Sequence, residues 1–162
     1  MLASADTWLW LQALTLYFVH DIDVSVLSAD PALRDMIDAL PGRKFIFTNG
    51  TQDHATRVAT RLGISDLFHD IFDIVSANYV PKPNAQIYPN MLAQFGIEAR
   101  RSAFFEDMAR NLPPARALGM TTVLLREPNT PDYGGPVGDE HIDHHAPNVK
   151  DILARILDHL GG

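Results

Sequence analysis

Apolar runs of strand length alternate along this chain with segments of helical period, the pattern of strand-helix units around a parallel sheet. Lys44 to Thr48 follows a Pro41-Gly42 turn and predicts a strand. Ala55, Val58, Ala59 and Leu62 then line one face at helical spacing, and Gly63 ends that helix. Ile71 to Val75, Ala103 to Phe105 and Thr121 to Leu125 predict further strands, each nearly all apolar, as strands covered on both faces are. Pro31 to Leu40 predicts a helix. Asn84 is placed to cap another that carries Ile87, Met91, Leu92 and Phe95, and Asn111 begins one that stops at Gly119. Asn148 starts the last helix, with Val149, Ile152, Leu153, Ile156, Leu157 and Leu160 on its buried side. The stretch from Glu127 to Pro147, rich in Pro, Gly and Asp, reads as a surface loop. Its histidines, His141, His144 and His145, have no matching ligand set and read as solvated. No repeat or linker divides the chain, so residues 1–162 are expected to form one α/β domain.

Composition narrows the partners. Of the 162 residues, 46% are hydrophobic and 20% charged, which is globular rather than disordered. A formal charge of −7 argues against a nucleic-acid partner, whose sites are built from clustered Lys and Arg. No apolar run is long enough for a membrane span and no signal peptide is evident, so no membrane partner is expected. The absence of cysteine excludes disulfides and thiolate metal sites and agrees with a cytoplasmic address.

Three segments carry chemistry, in order: Phe47-Thr48-Asn49-Gly50, Pro81-Lys82-Pro83 and Phe104-Phe105-Glu106-Asp107. The first brings a hydroxyl to the carboxyl end of a strand, where open α/β sheets bind ligands, and Asn49-Gly50 turns the backbone so that free N–H groups suit a phosphate. In the second, two prolines stiffen the chain around one ammonium. In the third, adjacent carboxylates end an apolar strand, where they repel unless a cation offsets them. Mg²⁺, which takes one or two carboxylates with waters and phosphate oxygens, suits such a pair.

Thr48, Lys82 and Glu106-Asp107 resemble the second, third and fourth motifs of the haloacid dehalogenase-like hydrolase superfamily, over Asp30 to about Arg126. Asp30-Pro31-Ala32-Leu33-Arg34, Leu40-Pro41-Gly42-Arg43-Lys44, Tyr79-Val80-Pro81-Lys82-Pro83 and Asn111-Leu112 are similar to its pyrimidine 5′-nucleotidase-like branch. The resemblance implies a three-layer Rossmann-like core with a central parallel sheet and, in this chain, little or no cap domain. It implies Mg²⁺-dependent phosphomonoester hydrolysis through an aspartyl phosphate. Thr48 would contact a phosphoryl oxygen with Asn49 and Gly50 beside it, Lys82 would screen phosphate and nucleophile, Asp107 would ligate Mg²⁺, and Glu106 would act through a metal-bound water.

The family's first motif, Asp-x-Asp-x-Thr, has two competing matches. Asp21-Ile22-Asp23-Val24-Ser25 fits by residue type, although the interval to Thr48 is tight for a catalytic loop, a flap and a helix. Asp6 to Tyr17 resembles the first-motif strand of the same relatives, with Leu11 and Ala13 standing where the aspartates belong. A third alternative makes residues 5–20 an amphipathic helix and leaves the sheet one strand short. Trp8 and Trp10 would be core, or a patch bared by the missing cap. Two functions follow: a phosphatase acting on a small phosphorylated metabolite such as a nucleoside monophosphate, with weak or absent turnover, or a non-catalytic relative that binds phosphate or a partner. Dehalogenation gives no reason for the acidic pair, and a phosphorelay receiver would place that pair ahead of the Thr and Lys. Apolar surface bared by a lost cap would favour a homodimer.

Overall fold

Phe104 and Phe105 are neighbours in sequence and both fully buried, which demands a strand covered on both faces. The computed structural model, which describes residues 8–11, 23–127, 130–131 and 137–161, supplies that strand at the middle of a parallel sheet. Its strands are β1 (Trp8–Leu11), β2 (Lys44–Phe47), β3 (Asp70–Phe72), β4 (Ser102–Glu106), β5 (Thr121–Leu125) and β6 (His144–Ala146). They lie in the order β3-β2-β1-β4-β5-β6, every pair parallel.

Alternation along the strands sorts the core into two layers. Phe45, Phe47, Phe104 and Leu124 join Tyr88, Met91 and Phe95 of α3 (Ile87–Phe95) and Leu112 and Ala115 of α4 (Leu112–Ala117). Ala103, Phe105 and Val123 join Leu33 and Ile37 of α1 (Pro31–Ala39), Ala59 of α2 (Gln52–Leu62), and Ile152 and Leu153 of α5 (Val149–Gly161). The fold is therefore a three-layer α/β core. Residues 12–30 are all that separates β1 from α1, which leaves room for little or no cap at that point.

Local signals explain the helix ends. The Asp30 carboxylate accepts from the Leu33 N–H at 3.0 Å with Pro31 in the first turn, and the Thr51 hydroxyl accepts from the His54 N–H at 3.3 Å. Gly63 closes α2 at φ 74°, a left-handed conformation that glycine adopts without strain. Asn148 accepts from the Asp151 N–H at 3.0 Å where α5 begins.

Several sequence expectations change. β1 occupies the centre of the sheet, so the sheet is not short of a strand there and Trp8–Leu11 is not helical. The expected strand Ile71 to Val75 stops at Phe72, because Asp73 bends the chain by accepting from the Ser76 N–H and hydroxyl, both at 2.8 Å. Asn111 precedes α4 without capping it. The N–H groups that a cap would satisfy belong to Pro113 and Pro114, which have none. The stretch expected to be loop contains edge strand β6, whose Ala146 carbonyl accepts from the Arg126 N–H at 2.8 Å. His144 and His145 lie on it, and among the described residues no group of three or more His, Asp or Glu side chains could hold a metal. Leu160, expected on the buried side of α5, is 48% exposed.

Candidate active site

Strand connectivity turns outward in opposite directions from β1 and β4, and open α/β sheets bind ligands at the carboxyl ends of strands beside such a switch. Thr48 leaves β2 at this rim. Its N–H donates to the Phe72 carbonyl at 2.9 Å, and its hydroxyl oxygen accepts from the Gly50 N–H at 2.9 Å, so the hydroxyl hydrogen stays free for a ligand. A Cβ on Gly50 would meet that oxygen at 3.3 Å, which keeps the turn open only for a small residue.

Lys82 arrives from the loop that follows β3. Its side chain is wholly shielded from solvent, and Nζ donates to the Phe47 carbonyl at 2.8 Å and to Glu106 Oε2 at 3.1 Å. The ammonium also lies 4.7 Å from the centre of the Phe47 ring and 5.5 Å from that of Phe104, within reach of their negative faces. Burial lowers the pKa of Lys82, and the nearby Glu106 carboxylate works in the opposite direction.

Glu106 is fully buried at the end of β4. Oε2 takes the Lys82 ammonium, and Oε1 accepts from the N–H groups of Asp107 at 3.2 Å and Met108 at 3.1 Å. Its neighbour is differently placed. Asp107 Oδ1 is buried with no hydrogen-bond partner, and its carboxyl is pushed up to about 7, first by burial and then by the hydrogen bond and negative charge of Glu106. Asn111, 1% exposed, has neither its side-chain oxygen nor its nitrogen partnered, while its carbonyl accepts from the Tyr88 hydroxyl at 2.8 Å. Buried polar atoms without partners are rare and mark places where a ligand or ion completes the bonding. A carboxylate oxygen and an amide oxygen are hard donors of the kind Mg²⁺ takes, so the residues present fit that ion.

Thus the hydroxyl segment, the lysine and the acidic pair expected from the sequence come together at one rim. Asn49, expected to serve a phosphate through its backbone, commits its side chain to the Lys82 peptide, accepting from the Lys82 N–H at 2.8 Å and donating to the Lys82 carbonyl at 3.2 Å. Asp73 was not singled out in the sequence. It is 5% exposed and accepts from the Gln52 N–H at 3.0 Å, tying the start of α2 to the turn after β3, and its spacing to Ser76 is the signal that would have found it.

The two first-motif alternatives separate in space. Asp23 caps an exposed turn by accepting from the Ser25 N–H at 2.8 Å, and Arg61 donates to the adjoining Val24 carbonyl at 3.3 Å. Arg61 is in the last turn of α2, at the amino end of the sheet and therefore at the rim opposite Thr48. Asp21 and Ala13 lie outside the described residues. Leu11 ends β1 beside Phe105, next to the strand end that carries Glu106.

A model of the haloacid dehalogenase-like hydrolase family matches residues 2–119. The chain is 32% identical over 106 residues to Enolase-phosphatase E1 of Frankia alni, a match that covers 64% of this chain and 44% of that protein. It therefore spans less than half the length of that curated relative. The fold superposes on a dehalogenase solved with an intermediate complex at a TM-score of 0.65 and 17% identity, covering 80% of this chain and 56% of that one. It also superposes on a hydrolase of the family from Deinococcus radiodurans with bound phosphate and sodium, at a TM-score of 0.61 and 17% identity, over 83% of this chain and 61% of that one.

Proposed function

We propose, for a chain that belongs to the haloacid dehalogenase-like hydrolase family, a phosphomonoester site served by Mg²⁺ whose turnover is weak or absent. The observation that carries the reading is the buried Lys82 ammonium, held by Phe47 and Glu106 beside the partnerless oxygen of Asp107. A positive charge kept dry in this way acts on an anion far more strongly than one in water.

Thr48 donates its free hydroxyl hydrogen to a phosphoryl oxygen, oriented by the Gly50 N–H that its oxygen accepts, the main chain of Asn49 lies beside the same group, and Lys82 offsets its charge. Asp107 would hold Mg²⁺, with Asn111 alongside and Glu106 fixing Lys82 and the Asp107-Met108 turn and acting through a water. Bound there, the ion supplies charge neutralisation for the phosphoryl oxygens.

The weakness of turnover rests on β1. The strand that lies between β2 and β4 ends at Leu11, and a leucine cannot attack phosphorus. The placement of Asp23 at the far rim supports the same reading. By its stretches similar to pyrimidine 5′-nucleotidase-like proteins, the substrate class is a small phosphorylated metabolite such as a nucleoside monophosphate. The second reading, a non-catalytic member that binds phosphate or a partner, is favoured by the same Leu11.

Hydrolysis of p-nitrophenyl phosphate with and without Mg²⁺ tests this in the wild type, Asp21→Asn and Asp107→Asn. The expected result is little turnover, unchanged by Asp21→Asn. Rapid Mg²⁺-dependent turnover abolished by Asp21→Asn would overturn the reading of β1.

A further inference from the structure

We propose that Asn49 is the positioning residue of Lys82, gripping its peptide from both sides and so setting where the ammonium stands. This rests on the phosphate-site reading above. Pro81 and Pro83 have no N–H, so the segment Pro81-Lys82-Pro83 owns one backbone donor, the Lys82 N–H. Asn49 Oδ1 takes that donor at 2.8 Å, while Asn49 Nδ2 donates to the Lys82 carbonyl at 3.2 Å. The two bonds fix the amide's orientation, because an N–H must meet an oxygen and a carbonyl must meet an N–H.

The other end of the lysine is tied to the same stretch of chain. Nζ donates to the Phe47 carbonyl, two residues before Asn49, and packs over the Phe47 ring. Backbone and head group of Lys82 are therefore both registered to residues 47–49, and Glu106 is the further contact that fixes the ammonium. Only a planar amide on a single methylene offers a donor and an acceptor in this geometry. Aspartate keeps the acceptor and loses the donor, and alanine loses both. The amide is spent on this grip, so Asn49 serves a bound phosphate through its main chain alone, and losing its side chain weakens ligand binding without removing a ligand contact.

The chain has three lysines, Lys44, Lys82 and Lys150, so the Lys82 side-chain signals can be assigned by NMR in lysine-labelled protein with Lys82→Met as the control. In the wild type the Lys82 Cε and Nζ signals are expected to be displaced by the two rings. In Asn49→Ala they collapse toward the positions of a solvated lysine, with Asn49→Asp between the two.

Binding of inorganic phosphate with Mg²⁺ supplies the second readout. Loss of two hydrogen bonds that set the ammonium is expected to weaken binding about tenfold in Asn49→Ala. Adding Asn49→Ala to Lys82→Met should weaken it no further. Unchanged Lys82 signals with additive losses would overturn the proposal. If Asn49→Ala fails to fold, as circular dichroism would show, Asn49→Asp decides by the same two readouts. A wild type that binds no phosphate sinks the functional reading, while the Lys82 signals still decide the role of Asn49.

Discussion

The Lys82 ammonium stands 3.1 Å from the Glu106 carboxylate with both side chains wholly removed from water. Burying two charges costs several kcal/mol each, repaid only when every remaining proton and lone pair finds a partner. Here the Phe47 carbonyl, two aromatic rings and the N–H groups of Asp107 and Met108 supply those partners. Removing one member strands the other. Lys82→Met or Glu106→Leu alone is expected to cost about 3–5 kcal/mol in urea unfolding, whereas the double substitution recovers much of the loss because no charge remains buried. Additive losses would show that the two groups do not act as a pair.

Asp107 sets a pH dependence. Its folded pKa of about 7 lies above the ordinary 3.8, so the fold favours the protonated form. The stability that this preference contributes is complete below about pH 4 and is lost as pH rises through 7. Without divalent cation, Asp107→Asn is expected to match the wild type at pH 4 and to exceed it above pH 7, by about 1–4 kcal/mol. Thermal unfolding across this range in chelator checks the sign. Because an ion must displace the proton, Mg²⁺ affinity should rise between pH 6 and 8 in the wild type.

A second carboxylate works the other way. Asp66 receives two hydrogen bonds from Arg34, at 2.6 and 2.7 Å, which hold its carboxyl at about 2. Its contribution is present above about pH 4 and disappears as pH falls toward 2. Asp66→Asn should raise the midpoint of acid unfolding, and because the pair is open to solvent, Asp66 more than Arg34, the difference should shrink in high salt.

Asp73 predicts a purely structural loss. Asp73→Ala leaves the N–H groups of Gln52 and Ser76 without their partner and should cost about 1–3 kcal/mol, with faster exchange at both amides. Hydrogen exchange at Ser76 and Gln52 would report both sites.

Much of this molecule can be read along the chain, and what cannot has identifiable causes. Phe45-Ile46-Phe47 and Phe104-Phe105 are apolar without interruption and Thr121 to Leu125 nearly so, so the strands that carry the site are visible, and the family resemblance arrives through the polar residues at the ends of β2 and β4 and through Lys82 in the loop after β3. His144-His145-Ala146 gives no such signal, because an edge strand buries one small side chain and leaves His145 exposed and His144 half-buried. Asn49 and Lys82 are 33 residues apart, and nothing local says that one amide will hold the other's peptide. Asn111 looks like a helix cap by residue type. Only the two prolines after it reveal that there is nothing to cap, which leaves both of its amide atoms buried without a partner.

One rim of the sheet is expected to hold a phosphate and a divalent cation together. Calorimetric titration of inorganic phosphate into the wild type, Lys82→Met and Asp107→Asn, with and without Mg²⁺, tests it most directly. Binding in the wild type is expected to strengthen with Mg²⁺, with loss of that enhancement in Asp107→Asn and at least about tenfold weaker binding in Lys82→Met. Equal phosphate affinity in all three proteins, or no response to Mg²⁺ in the wild type, would contradict it.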